Sequence, residues 1–121
     1  MLSDFVVFLS SHIHHTNLYI MNMFDKVVSA LNSKLRREII KLLNESSLTV
    51  TEIFKEINKK NEYHVKYRES IYRAVEKLVD AGLVTKYYDT EKKAICYRLA
   101  VKTIKLNLIE DRVETMSQTH Q

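Results

Sequence analysis

The chain has 121 residues, with 19 Lys and Arg against 15 Asp and Glu and a formal charge of +4. That length suits one domain with a modest core and excludes two independent ones, and the charge favours polyanionic partners without requiring them. A single cysteine excludes an intrachain disulfide, while the absence of proline and the presence of one glycine argue for helices over a disordered or loop-rich chain.

Residues 2 to 31 open the chain with Leu2, Val6, Leu9, Ile13, Thr16, Ile20, Met23, Val27 and Ala30 at alternating four- and three-residue steps. Such a seam belongs to a coiled coil or a helix in a dimer interface, and residues 1–31 are expected to form a helical dimerisation segment. A helix lying on the core of its own domain would give the same pattern, and Thr16 with its polar neighbours marks a break near 10–17. Met21 and Met23 offer alternative translation starts. His12, His14 and His15 have no four-residue spacing and no cysteine or carboxylate cluster beside them, so they read as a solvated group, not metal ligands. No apolar run reaches the roughly 18 residues of a membrane span. Asp4 and the lack of early Lys or Arg argue against a signal peptide, so a cytoplasmic, intracellular protein without a membrane partner is expected.

Ser33 is a good helix N-cap for LRREIIKLLNES, whose apolar face is Leu35, Ile39, Leu42 and Leu43, with Lys34, Arg36, Arg37 and Lys41 in water. After a turn at Asn44–Ser47, Thr49 or Thr51 caps a short helix, TEIFKEINKK, with Ile53, Phe54 and Ile57 inward. The polar stretch NKKNEYHVK, from Asn58 to Lys66, then connects to YRESIYRAVEKLVDAG. There Ile71, Val75, Leu78 and Val79 form one apolar stripe. Arg68, Ser70, Tyr72, Arg73 and Lys77 occupy the other side, as side chains able to hydrogen-bond bases and phosphates. Gly82 reads as the C-terminal stop.

Leu83–Tyr88 and Ala94–Leu99 read as two strands joined by the polar turn DTEKK, with Lys86 on the hairpin and Lys92 and Lys93 near its tip. Cys96 reads as a buried small hydrophobe. In the tail, Ile104, Leu106 and Leu108 alternate with Lys105 and Asn107, which favours an extended segment over a short helix, and the last five residues are expected to be disordered. The expected fold is mainly α with a small β-hairpin wing, an α+β winged helix-turn-helix spanning 32–100 with an extension over 101–121.

In their order and spacing, ALNSKLRREIIKLLNESSLTVTEIFKEI and SIYRAVEKLVDAGLVTKYYDTEKKAICYRL resemble the ArsR-like winged-helix transcriptional regulators over about residues 30–100. The resemblance implies a homodimer placing two recognition helices in successive major grooves of a palindromic site. It assigns Arg68, Ser70, Tyr72 and Arg73 to the recognition helix and Lys92 and Lys93 to the wing. Metal-sensing members carry paired cysteines before that helix; TVTEIFKEI has none, so metal-dependent repression through that site is not expected. The lone cysteine, lack of proline and long N-terminal helix also look like small winged-helix proteins of viruses of thermophilic archaea.

The expected activity is sequence-specific binding of double-stranded DNA, through Lys66, Arg68, Ser70, Tyr72, Arg73, Lys77, Lys92 and Lys93, with no cofactor, metal or small-molecule substrate. A winged-helix interaction module without DNA binding is the alternative, because Glu69, Glu76 and Asp80 dilute the basic face. No G-x-S-x-G, P-loop, H-E-x-x-H or paired-carboxylate pattern supports an enzyme.

Overall fold

The computed structural model describes residues 23–116. The expectations for Leu2 to Ile20, for the three N-terminal histidines and for the last five residues lie outside that range. Residues 23–31 are helical (α1), and two of the seam positions there, Val27 and Ala30, are buried in the core of this same domain. The apolar stripe of α1 is therefore spent on intramolecular packing at those positions.

The second helix, α2 (Lys34–Glu45), starts where its cap predicts: Ser33 Oγ accepts from the Arg36 backbone N–H at 3.2 Å. Ile39 and Leu43 are buried, and Leu35 and Leu42 pack half-buried beside them. Arg36 and Arg37 depart from the expectation of simple solvation. Arg36 donates from Nε to the Ala30 carbonyl at 2.8 Å and from Nη2 to that of Ser29 at 3.0 Å, and Arg37 Nη1 donates to that of Leu31 at 2.6 Å. The last carbonyls of a helix lack partners within the helix and carry its negative dipole end, so two guanidinium groups complete α1.

A two-residue strand, β1 (Leu48–Thr49), precedes α3 (Val50–Asn58) and was not anticipated, because two residues carry no periodicity. Thr49 is the cap of α3. Its Oγ1 accepts from Glu52 N at 3.1 Å, and Glu52 Oε1 accepts from Thr49 N at 2.9 Å, a reciprocal capping box. Ile53 and Ile57 are fully buried. The long connection after α3 has a defined path because the Asn58 amide clasps Val65, donating to its carbonyl at 3.0 Å and accepting from its N–H at 2.9 Å.

Helix α4 (Arg68–Asp80) buries Ile71, Ala74, Val75 and Leu78 against α2 and α3. It ends at Gly82 (φ 77°), where Gly82 N–H donates to Val79 at 2.9 Å and Leu83 N–H to Leu78 at 3.0 Å. That paired closure is a Schellman motif, with Leu78 and Leu83 buried together. A Cβ at Gly82 would meet only Met23 Cε at 3.7 Å, ordinary contact, so the cost of Gly82→Ala is conformational. It should lower stability by about 1–2 kcal/mol, read as a shift in the urea midpoint at constant slope.

Strands β2 (Val84–Asp89) and β3 (Ala94–Leu99) form the expected antiparallel hairpin, and β1 adds to the far side of β3 to give the order β1-β3-β2. The register pairs Lys86 with Tyr97 and Tyr88 with Ile95. Asp89 Oδ1 organises the tip by accepting from the N–H groups of Glu91 and Lys92, both at 2.9 Å, while Lys93 closes it at φ 54°. Cys96 is buried, as expected. The tail forms a second hairpin, β4 (Ile104–Asn107) with β5 (Arg112–Thr115), of which only the first strand was anticipated. Its partner RVET is too short and too polar to signal itself. Ile104 and Val113 pack this hairpin onto the core.

Candidate nucleic-acid interface

A groove of about 430 Å³ opens between the start of α3, the first turns of α4 and the inner face of the β2–β3 hairpin. Thr49, Val50 and Thr51 form one wall, Arg68, Glu69 and Tyr72 the second, and Ala94, Ile95 and Tyr97 the third. The helical period explains the second wall. Ile71, Ala74, Val75 and Leu78 are drawn into the core, which leaves positions 68 and 72 one turn apart on the flank facing the hairpin. Tyr72 is 44% exposed and Ile95 42%, so the groove offers apolar surface flanked by hydrogen-bonding groups.

Arg68 reaches across the mouth of the groove, donating from Nη1 to Thr51 Oγ1 at 3.1 Å, a contact that aims the guanidinium without neutralising it. Arg73 lies on the outer face of α4, where its Nε is 3.4 Å from Glu69 Oε2. Ser70 is exposed in the first turn of α4. Lys66 lies over the Tyr67 ring, 5.5 Å from its centroid, just before the helix. At the hairpin tip, Lys93 is exposed, whereas Lys92 turns back to α3 and pairs with Glu52 Oε1 at 2.9 Å.

Lys77 separates from this group. It lines a different crevice, with Asp25, Lys26, Ser29 and Asp80, between α1 and the end of α4. In the connection after α3, Lys59 pairs with Glu56 at 2.9 Å and Lys60 with Glu38 at 3.7 Å.

From the Tyr97 wall a polar cluster continues behind the groove and joins helix to hairpin. Tyr97 Oη donates to Glu76 Oε2 at 2.7 Å, and Lys86 Nζ donates to both carboxylate oxygens of Glu76 at 2.9 and 3.1 Å. Burial resists ionisation of Glu76, but the hydrogen bonds from Lys86 and Tyr97 outweigh it and hold the carboxyl below its usual range. Burial, reinforced by the Glu76 hydrogen bond, pushes the Tyr97 hydroxyl well above the usual tyrosine range. Beside the Thr49 wall, the Thr49 N–H and then Lys92 hold Glu52 below the usual carboxylate range. Glu52, Ile95 and Tyr97 do not stand out in the sequence, and Glu76 stands out there only as an acid diluting the basic face. Glu76 is one helical turn beyond Tyr72, which is a signal for its position but not for its partners.

Among solved structures, the chain is similar to the ferric uptake regulator Fur of Helicobacter pylori, with 21% identity, 86% of this chain and 71% of that one covered, and a TM-score of 0.52. It is also similar to a zinc-bound manganese uptake regulator, with 15% identity, 79% and 76% coverage, and a TM-score of 0.49. The fold is a winged helix-turn-helix. In it, α3 and α4 are the two helices of the helix-turn-helix and β2–β3 is the wing hairpin. No protein-family profile matches the chain, and no curated protein matches it in sequence.

The Helicobacter protein is described as having three functional metal-binding sites. Among the described residues of this chain, no group of three or more His, Cys, Asp and Glu side chains is gathered to hold a metal ion, so those residues do not fit such a site. No described helix is long and apolar enough to cross a membrane.

Proposed function

We propose that the protein is a sequence-specific regulator of transcription that binds double-stranded DNA as a homodimer, with α4 in the major groove and the wing on the backbone or minor groove. The observation that carries this reading is the groove itself. Arg68, Ser70 and Tyr72 are gathered on the exposed side of α4 beside a wing whose tip presents Lys93. The likeness in fold to a metal-uptake regulator supports the same class of function. The motif order from Ala30 to Leu99 supports an ArsR-like subtype, and the resemblance in overall style to small winged-helix proteins of viruses of thermophilic archaea supports a source of that kind.

Two terms give binding. Lysines and arginines displace counterions from phosphates, so affinity falls steeply with salt. Arg68, held by Thr51, is set to bind a guanine edge, and Tyr72 with Ile95 supplies apolar surface for a thymine methyl group. Residues 1–31 are assigned to dimerisation and 32–100 to DNA binding, with 101–121 an extension. Since Val27 and Ala30 serve the domain core, the dimer surface on this segment is drawn from its other positions. A nucleic-acid-binding role also places the protein inside the cell.

The test is fluorescence anisotropy of the full chain with random duplex and with the gene's upstream region, each at two salt concentrations. Upstream DNA should bind more tightly, and Arg68→Ala should weaken that binding by about tenfold or more while weakening random-duplex binding less. Arg73→Ala should follow the same pattern; equal losses on both duplexes would make Arg73 a phosphate contact. The rival reading, a protein-interaction module, is favoured by Leu108 and Ile109, 73% and 92% exposed at the tip of the β4–β5 hairpin. Failure to bind either duplex at low salt would select it.

A further inference from the structure

Three ion pairs lie on the elements that form the groove. Glu52–Lys92 lies between α3 and the wing tip, Glu69–Arg73 on the outer face of α4, and Glu76–Lys86 where α4 meets the wing. The third is part of the cluster with Tyr97, so its lysine is committed to structure. The second is long, at 3.4 Å, with side chains 77% and 60% exposed, and an open pair of that kind is worth little. The first is short, at 2.9 Å, with both side chains only 39% exposed.

We propose that Glu52 is a built-in competitor that withholds Lys92 from DNA phosphates and so lowers base-independent binding to duplex. This rests on the DNA-binding reading above. Glu52 suits the role because it cannot follow Lys92 away. The same Oε1 that accepts from Lys92 also accepts from the Thr49 N–H, so the capping box pins the carboxylate to the start of α3. The two residues are 40 apart in sequence, and their pairing ties the wing tip to the helix that forms one wall of the groove.

Any duplex that recruits Lys92 must break this pair and then set a phosphate beside the carboxylate left behind. The penalty is independent of base sequence. A duplex that also satisfies Arg68, Ser70 and Tyr72 offsets it through base contacts and a random one does not, so phosphate attraction alone holds DNA less tightly while the reading groups stay free. Lys66, Arg68 and Lys93 have no carboxylate partner among the described residues, and they supply the charge for first encounter.

The experiment is an anisotropy titration of the full chain with random-sequence duplex at two salt concentrations. It compares wild type, Glu52→Gln and Glu110→Gln. Glutamine keeps the cap, because its amide oxygen accepts from Thr49 N–H. Glu110, which pairs with Arg112 at 3.0 Å on the β4–β5 hairpin, makes the same charge change away from the groove. Glu52→Gln should tighten random-duplex binding about threefold or more and steepen its salt dependence, while Glu110→Gln leaves both unchanged. A second comparison does not depend on the Glu52 variant folding: Lys93→Ala should weaken random-duplex binding severalfold and Lys92→Ala much less. The inference is overturned if a folded Glu52→Gln binds no better than wild type, if Glu110→Gln gains equally, or if Lys92→Ala loses as much as Lys93→Ala. Absence of binding by wild type and every variant would instead overturn the DNA-binding reading, and this inference with it.

Discussion

Ile71→Ala is expected to lower the free energy of unfolding by about 3–4 kcal/mol, measured by urea denaturation. Ile71 is fully buried on the inner face of α4, the helix that packs against both α2 and α3. Truncation removes most of its buried hydrocarbon and leaves a cavity that three helices cannot all collapse to fill. Domains of this size are held together by only about 5–15 kcal/mol, so the loss is a large share of the total. The effect reaches function because Arg68 and Tyr72 ride on the same helix turn. Ser70→Ala, one residue away and exposed, should change stability by less than about 0.5 kcal/mol. A loss below about 1 kcal/mol for Ile71→Ala would mean that α4 is not packed as described.

Glu76→Ala should cost about 2 kcal/mol, because it leaves the Tyr97 hydroxyl without its partner on a residue 2% exposed. The pH dependence identifies the cause. The carboxyl of Glu76 is depressed from the ordinary value of 4.5, so its contribution is present above that value and is lost as pH falls through the folded-state value. The Tyr97 hydroxyl is raised from the ordinary 10.0, so its contribution is present below pH 10.0 and is lost as pH rises towards the folded-state value. Glu76→Ala should therefore flatten the acid limb of the stability profile, and Tyr97→Phe the alkaline limb. If the acid limb of Glu76→Ala ran parallel to that of wild type, the cluster would not be what ties helix to wing. The same variant should lower affinity for specific DNA at neutral pH, since the wing angle against α4 depends on this contact.

Most of the local structure was legible from residue types. Ser33 and Gly82 mark helix ends through their own chemistry, a hydroxyl that accepts an orphan N–H and a backbone free of Cβ strain. The stripe Ile71, Val75, Leu78 identified the buried side of α4 and, by exclusion, the face that carries Arg68 and Tyr72. Two strand-forming runs around DTEKK sufficed for the wing. Elements that signalled weakly were missed: β1 has two residues, and β5 has a single strongly apolar side chain, Val113.

Sequence by itself therefore determined the order of the helices and of the β2–β3 hairpin, the side of each helix that enters the core, and an exposed basic, hydroxyl-bearing face on α4. These follow from interactions within a few residues: caps, turn conformations and the periodicity of apolar side chains. Only the tertiary structure decided which charges remain free. Arg36 and Arg37 close α1, Lys60 turns to Glu38, Lys77 faces the α1 crevice, and Lys92 is held by Glu52. A lysine's linear neighbours do not reveal whether a carboxylate 40 residues away lies within 2.9 Å of it. That distance is set by how α3, α4 and the wing pack together, because long side chains take whichever partner the assembled surface brings within reach.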